Sequence, residues 1–535
     1  MLRRTALAAA LFMLVSTDCA LAYDVPLQPF GDITNEAWFQ DEVYSLSALG
    51  MIDGYPDGTY RPDGMLTREA FLKLFVSAQR VDLAALPAAA PSDVKKDRWS
   101  YAYVAAAYER QWIDFMLDDS KTVDPERVIT REEVAAVAGK ALLGAEPAEE
   151  RSLWLEERWK EEQGSRAYPD SGALNGSLAP YIYYAVNKGV MEGDQAGFHP
   201  KQPLTRKEAA AIVYRLLDAQ LAKQKLAKTG FYAIRSYPAL QRMPLLDQVT
   251  FGWSHLEYSA PGVAKLNTET TEYKIPSGWE EAVKAADDAR LHKELMVYYG
   301  DSNLKEFLRD EAAQGSFIES LKKVAADERY GFDGICMDLE GLLEPASAAD
   351  YVRFLTRLKE HLPKTALTVA VQPDYYYKGY DLKEIGRLAD TVILMAYNFT
   401  HDSSRLPSAP LPLVADTVKR TLAYVPKEKL VLGISKQANQ WVASAGQTQS
   451  YNPEIAEVEK RLAAPGVTQY LSYPYGLRRL EFQDERGAHE VFYEDASSIG
   501  KKLWLAKYYG LKGVSLWYMG NYTESDWQLF KKEQG

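Results

Sequence analysis

The sequence predicts two architectures in one chain: an all-α unit of three repeats, followed by an α/β unit of the (β/α)8 barrel type. Three observations predict this. Between residues 29 and 219 a proline is followed five positions later by Thr-Arg, at Pro62/Thr67-Arg68, Pro125/Thr130-Arg131 and Pro200/Thr205-Arg206, each time ahead of an apolar helical pattern. From residue 230 onward, short apolar runs are separated by helical stretches. One of those runs, 332–340, ends in two carboxylates.

In chain order, Arg3 and Arg4 precede an apolar run from Ala6 to Val15 and the small-x-small triplet Ala20-Leu21-Ala22. This is the pattern of an export signal over residues 1–22. The run is too short to cross a bilayer, and no later stretch reaches the ~20 apolar residues a transmembrane segment needs. Removal of that peptide takes Cys19 with it, so Cys336 is left alone and the chain relies on core burial rather than a disulfide. A net charge of −12 without a Lys/Arg-rich block argues against nucleic acid as a partner. Six histidines without an HExxH or CxxC pattern argue against a metal site, and no cofactor is expected.

The repeats are read at 29–82, 90–144 and 167–219. An amphipathic helix carrying Trp154, Leu155 and Trp159 is inserted at 145–166, and a Lys- and Ala-rich linker is expected at 220–229. Each repeat threonine is a helix N-cap. Glu133 and Glu208 complete capping boxes in the second and third repeats, whereas Ala70 cannot in the first. Asp32 and Asp93 open the first two units, with Asp170 a weaker counterpart. Capping does not account for Arg68, Arg131 and Arg206, since an arginine in a first helical turn opposes the helix dipole. Their recurrence points to a shared anionic ligand, which a guanidinium fork fits.

The second unit, 230–535, is expected to hold strands at 231–235, 249–253, 294–299, 332–339, 367–372, 391–397, 430–434 and 513–517. A barrel of this type carries its active site at the C-terminal strand ends. Asp338 and Glu340 stand there on the fourth strand, Tyr397 and Asn398 on the sixth, and Trp517 on the eighth. Asp374 and Tyr375 follow the fifth. Along the fourth strand Ile335, Met337 and Leu339 share one face, and Cys336, Asp338 and Glu340 the other. Acids and aromatics converging on one mouth point to carbohydrate cleavage.

The segment from Gly54 to Ala70, Gly-Tyr-Pro-Asp-Gly-Thr-Tyr-Arg-Pro-Asp-Gly-Met-Leu-Thr-Arg-Glu-Ala, resembles the S-layer homology domain. The resemblance implies a pseudo-threefold helical unit that binds an acidic secondary cell-wall polymer, with Arg68, Arg131 and Arg206 lining its grooves. The second repeat lacks the Gly-Tyr-Pro-Asp-Gly loop. Asp333-Gly334-Ile335-Cys336-Met337-Asp338-Leu339-Glu340 resembles the DGxDxDxE motif of glycoside hydrolase family 18, with support from Met395-Ala396-Tyr397-Asn398, Trp517 and 429–434. The run 494–501 is similar to the bacterial spore and cell-wall branch of that family.

This second resemblance implies roles for single residues. Glu340 is the general acid, Asp338 holds the substrate's 2-acetamido N–H, Tyr397 hydrogen-bonds the acetamido group, and Trp517 forms the floor of the site. Asn398, Asp374 and Tyr375 are expected to contact substrate, while Asp333, Gly334 and Cys336 are structural. Cys336 departs from the motif, which has Asp there. The expected protein is exported and held non-covalently on the bacterial wall, where it hydrolyses β-linked N-acetylglucosamine glycans, peptidoglycan before chitin. The alternative is a chitinase-like protein that binds such a glycan without cutting it.

Overall fold

Leu66, Ile129 and Leu204 occupy the same place in the three repeats, and their backbones close a ring. The N–H of Leu66 donates to the Leu204 carbonyl (3.0 Å), that of Ile129 to Leu66 (3.0 Å), and that of Leu204 to Ile129 (3.1 Å). All three side chains are buried. This is a computed structural model, described over residues 25–84, 89–233, 235–400, 405–444 and 446–533. The export signal read at 1–22 lies outside the described residues.

Each strand of the ring runs straight into a helix: Arg68–Ala78, Arg131–Gly144 and Arg206–Leu221. Glu133 and Glu208 accept the N–H of Thr130 and Thr205 (2.9 Å each), and Thr67 accepts from Ala70 (3.3 Å) without a reciprocal bond. Before each ring strand the backbone turns through the left-handed region, at Arg61, Asp124 and His199. An aspartate holds each of these turns by accepting two consecutive N–H groups: Asp32 from Tyr60 and Arg61, Asp93 from Val123 and Asp124, Asp170 from Phe198 and His199. Asp170 therefore does the same work as the other two.

The repeated arginines have a structural reason that the sequence did not reveal. Each reaches into the next unit and donates to its backbone carbonyls. Arg68 reaches Val123, Arg131 reaches Phe198 and Glu192, and Arg206 reaches Tyr60 and Asp53. The dipole penalty is offset by closing the three units on one another. Arg68 is buried and ion-paired to Glu133, so it does not line an open groove; the expectation is corrected for that residue. The inserted helix runs from Ala148 to Ser165 through a π turn at Trp154–Arg158, and the Trp154 indole donates to the Pro180 carbonyl (2.9 Å).

The segment 220–229 is not a tether. Helix Arg206–Leu221 covers its start and β1 (Ala227–Tyr232) its end. The two units pack directly: Tyr44 stacks on Tyr473 (5.0 Å between ring centres), Tyr214 on Trp504 (5.3 Å), and Asp41 takes both Lys501 and the Tyr473 hydroxyl. Aromatic area buried at such a junction holds it without a long linker.

The other strands are β2 (Gln248–Ala260), β3 (Val263–Asn267), β4 (His292–Tyr299), β5 (Gly334–Leu339), β6 (Ala366–Val371), β7 (Thr391–Leu394), β8 (Leu430–Ser435), β9 (Asn439–Ser444), β10 (Gln447–Tyr451), β11 (Thr468–Ser472), β12 (Leu477–Asp484), β13 (Gly487–Tyr493) and β14 (Gly513–Trp517). Among the described residues, β1, β2, β4, β5, β6, β7, β8 and β14 pair in parallel and close on themselves through β1–β2. This is the (β/α)8 barrel. The first strand starts four residues earlier than expected. Ala-Lys-Thr-Gly has no apolar run, but pairing on both sides, for example Ala227 with Gly513, overrides that weak local preference. β7 stops at Leu394, short of Tyr397. Strands β9–β13 form a separate antiparallel sheet beside helix Ile455–Leu462, inserted between β8 and β14; nothing in the sequence reading anticipated it.

Gly334 has a packing reason. A Cβ there would meet the Ala366 Cβ and carbonyl at 3.0 Å and the Glu294 Cγ at 3.1 Å. Gly334→Ala is expected to lower stability by about 1–3 kcal/mol, measured as a shift of the urea midpoint with the slope unchanged.

Candidate active site

β5 is buried along its whole length. Its inward residues are Gly334, Cys336 and Asp338, and Glu340 follows at the mouth. Cys336 sits in an apolar layer with Phe231, Met296, Ala370, Ile393, Met395 and Val431, and burial pushes its thiol pKa up. It is a neutral core residue here. One layer below, buried Glu294 accepts from the Thr368 hydroxyl (2.7 Å). Asp333 lies at the barrel floor, accepting the Lys293 N–H (2.9 Å), which fits a structural part.

Above the apolar layer, Asp338 is almost fully buried. Its Oδ1 is shielded from solvent and has no hydrogen-bond partner among the described residues. Burial and the neighbouring Glu340 carboxylate hold Asp338 well above the usual carboxylate range, and burial raises Glu340 as well. Glu340 is positioned by two contacts. Its N–H donates to the Tyr299 carbonyl (2.7 Å), and the Gln372 amide lies 3.3 Å from its Oε2. Gln372 is itself fixed, accepting the Gly341 N–H (2.8 Å) with the Tyr380 hydroxyl 3.2 Å away.

Aromatic rings surround the pair. Burial, then Asp338 and Glu340, push the Tyr397 hydroxyl far up its range, so Tyr397 is within electrostatic reach of both. The hydroxyl of Tyr298, beside Asp338 in the register, is pushed up to about 12 by burial and then by the same two acids. Tyr273, in the loop after β3, packs on Tyr298 at 4.6 Å. Trp517 ends β14, packs edge-on to Phe231 (5.3 Å) and precedes a cis peptide to Tyr518. Asn398 is exposed at the mouth, with a left-handed backbone and its N–H on the Ser408 hydroxyl.

Two expected substrate contacts are not in this cluster. Asp374 is held by Arg420 (2.6 and 2.9 Å), and the Tyr375 hydroxyl by Asp416, both on helix Leu411–Thr421. Of the tyrosines that follow β6, Tyr377 is within electrostatic reach of Glu340: burial, then that carboxylate, raises its hydroxyl pKa. Sequence reasoning missed Gln372, Tyr298 and Tyr273, and of the three tyrosines it placed after the fifth strand, Tyr375 to Tyr377, it singled out Tyr375 rather than Tyr377. Strand alternation was enough to find the first two, because Thr368, Ala370 and Gln372 share a face, as do Glu294, Met296 and Tyr298. No local signal marks Tyr273.

A raised carboxyl pKa has a sign for stability. The folded state keeps the Asp338 proton where the unfolded chain, near 3.8, has lost it. Its contribution is therefore fully present below that value and is lost as pH rises through the folded pKa. Asp338→Asn is expected to raise the melting temperature over the parent at pH 7, with the gain shrinking towards pH 4.

The model for glycosyl hydrolases family 18 matches residues 245–521. The chain belongs to glycoside hydrolase family 18. The S-layer homology domain model matches 29–72 and 175–210, so this family 18 barrel is preceded by S-layer homology domains. YdhD of Bacillus subtilis (strain 168), assigned as a sporulation-specific glycosylase, is 26% identical over 320 residues, covering 56% of this chain and 74% of that protein. The cortical fragment-lytic enzyme of the same organism is 28% identical over 252 residues, covering 44% of this chain and 57% of the enzyme. The chain thus spans little more than half of the latter's length. A solved chitinase from Chromobacterium violaceum shares the family 18 barrel fold at 21% identity and a TM-score of 0.50, over 58% of this chain and 99% of that one.

Proposed function

We propose that the protein hydrolyses β-linked N-acetylglucosamine glycans of the bacterial wall, peptidoglycan first, by substrate-assisted retaining catalysis. The observation that carries this is the buried, unpartnered Oδ1 of Asp338 beside a half-buried, protonatable Glu340. A glycosidase with a protein nucleophile presents its second carboxylate to the anomeric carbon, whereas family 18 uses the substrate. The Asp338 Oδ1 is enclosed and without a donor among the described residues, so it suits an N–H that arrives with the sugar. Glu340 gives its proton to the glycosidic oxygen as the C–O bond breaks. The 2-acetamido carbonyl closes on the anomeric carbon, and Asp338 takes up the growing positive charge on the acetamido nitrogen. Water then opens the oxazolinium ion and returns a proton to Glu340. Tyr397 orients the acetamido group and Trp517 stacks under the ring. The Cys336 thiol, neutral and apolar, leaves Asp338 without an acid partner below it, so the pair works through Glu340 alone.

The repeats support attachment to an acidic wall polymer through two cavities. One, of about 270 Å³, is lined by Tyr55, Trp99 and Arg206; the other, of about 190 Å³, by Trp38, Arg131 and Arg215. Trp38 and Trp99 are 59% and 56% exposed, unusual for that side chain. No tryptophan stands at the matching position of the third repeat, and Arg68, the remaining arginine of the set, is buried.

The test is the product profile from purified peptidoglycan and from chitin oligomers. Reducing-end N-acetylglucosamine from peptidoglycan is expected. Release that is equal in a Glu340→Gln variant, or no release from either glycan, would favour the binding-only reading. For attachment, Trp38→Ala/Trp99→Ala is expected to leave most of the protein in the supernatant after sedimentation with purified walls, at unchanged melting temperature.

A further inference from the structure

The third barrel strand, β4, runs out in Val297-Tyr298-Tyr299-Gly300. Its register sets Met296 beside Cys336 and Tyr298 beside Asp338, and Tyr298 shares the inward face with Met296. The half-buried Tyr298 ring packs on the apolar layer below it and on Tyr273. A glycine fixes where its hydroxyl goes. A Cβ on Gly300 would meet the Tyr298 Oη at 2.7 Å and its Cζ at 3.3 Å, so the ring folds along its own chain and the hydroxyl lies over Gly300. Tyr299 pairs with Leu339, and the Glu340 N–H donates to the Tyr299 carbonyl (2.7 Å). Gly300 is therefore level with Glu340, and the Tyr298 hydroxyl is carried to that level.

The charge balance at Glu340 calls for a donor there. Once Glu340 has given up its proton it is an anion beside a second carboxyl group, and such a neighbour disfavours ionisation. Cys336 is neutral, and the one side-chain donor on Glu340 among the described residues is the Gln372 amide, 3.3 Å from Oε2. A carboxylate accepts at two oxygens, with about four lone-pair sites. The Tyr298 hydroxyl has no hydrogen-bond partner among the described residues. Burial, then Glu340 and Asp338, push it up to about 12, so it keeps its proton while Glu340 titrates and can only donate to it. Tyr377, the other ring near Glu340, is engaged with Gln372 instead.

We infer that Tyr298 is a further catalytic residue, whose hydroxyl donates a hydrogen bond to the Glu340 carboxylate as Glu340 loses its proton to the glycosidic oxygen. The inference rests on Glu340 being the general acid. The Tyr298 O–H bond stays intact throughout. The Glu340 proton goes to the leaving oxygen, which keeps the electron pair of the broken C–O bond, and a proton returns to Glu340 from water when the oxazolinium ion opens. Tyr298 stabilises the anion in the interval between these two transfers. Gly300 is a positioning residue that acts through Tyr298.

Tyr298→Phe in the full chain tests this. It keeps the ring and its packing on Tyr273 and removes only the hydroxyl, so the melting temperature is expected to match the parent's. The Glu340 carboxyl is titrated by 13C resonance in glutamate-labelled protein, its signal assigned by its absence from Glu340→Gln. Tyr298→Phe is expected to raise that pKa by about one unit, because losing a donor to the charged form disfavours that form. On a wall glycan, kcat is expected to fall about tenfold, the scale of one hydrogen bond to a charged group. KM changes little, and the basic limb of the kcat/KM profile moves up with the Glu340 pKa. Gly300→Ala displaces the hydroxyl and is expected to repeat these changes in the parent, but to add little to Tyr298→Phe. The inference is overturned if the Glu340 titration stays in place in Tyr298→Phe, or if KM alone changes, the mark of uniform substrate binding. It is also overturned if Gly300→Ala costs as much without the hydroxyl as with it. A parent that cleaves no glycan, with the Glu340 titration still raised by Tyr298→Phe, would count against hydrolysis and leave the hydrogen bond standing.

Discussion

Glu340→Gln is expected to lower kcat on a wall glycan by about 10²–10⁴-fold, the usual contribution of a positioned general acid. Glutamine has the size and much of the hydrogen bonding of the protonated side chain, so the contact with Gln372 and the backbone bond to Tyr299 survive. What disappears is the proton. The loss should therefore depend on the leaving group. A sugar alkoxide cannot depart without protonation and shows the full effect. An aryl glycoside with an acidic phenol needs little help and is expected to retain most of its rate. Asp338 remains in place to hold the acetamido group, so KM changes little. An equal loss on both substrates would mean that Glu340 acts by some route other than proton donation.

Arg68→Ala carries the second large effect, on stability rather than rate. Its guanidinium is buried, bonded to Glu133 and to the Val123 carbonyl across the contact between the first two repeats. Glu133 in turn accepts the Thr130 N–H. Removing the arginine leaves that carboxylate buried with no countercharge, and breaking such a pair from one side costs about 3–5 kcal/mol. Arg206 donates to neutral carbonyls from a half-buried position, so Arg206→Ala is expected to lose about 1–3 kcal/mol. Urea unfolding followed by a probe in the repeat unit compares the two. The double substitution Arg68→Met/Glu133→Leu should recover most of the Arg68→Ala loss, because it removes both charges together. Equal midpoints for Arg68→Ala and Arg206→Ala would show that the Arg68–Glu133 pair has no special weight.

The barrel was legible because seven of its strands are fully or nearly buried apolar runs, and such runs are marked by composition alone. The first strand was misplaced where the sequence is Ala-Lys-Thr-Gly: two neighbouring strands, not its own residues, hold it in the sheet. The inserted β9–β13 sheet was invisible for a related reason. Strands such as Gln447–Tyr451 and Leu477–Asp484 are rich in Gln, Arg and Glu, one side of the sheet is open to water, and no apolar alternation stands out. Gln372 was overlooked although its strand was found, since an amide at a strand end has no chemistry until a carboxylate is seen beside it.

Of the repeated arginines, the sequence showed that they recur and that helix electrostatics alone does not explain them. Their partners are backbone carbonyls, which every residue has, so nothing in the sequence could name them. The same limit applies to Asp374 and Asp338. Both are acids at the ends of barrel strands, but one is held by Arg420 and the other lies beside Glu340 with its Oδ1 unpartnered among the described residues.

By itself the sequence determined the order of the two units, the barrel class, the acidic strand end and the family resemblance, because these are written in local periodicity and in one contiguous motif. Only the tertiary structure decided which acid is unpaired, which arginine is buried, and which aromatic rings ring the acids. Those depend on residues far apart in the chain meeting in space, and on burial, which sets the strength of a charge but leaves no mark on the residue that carries it.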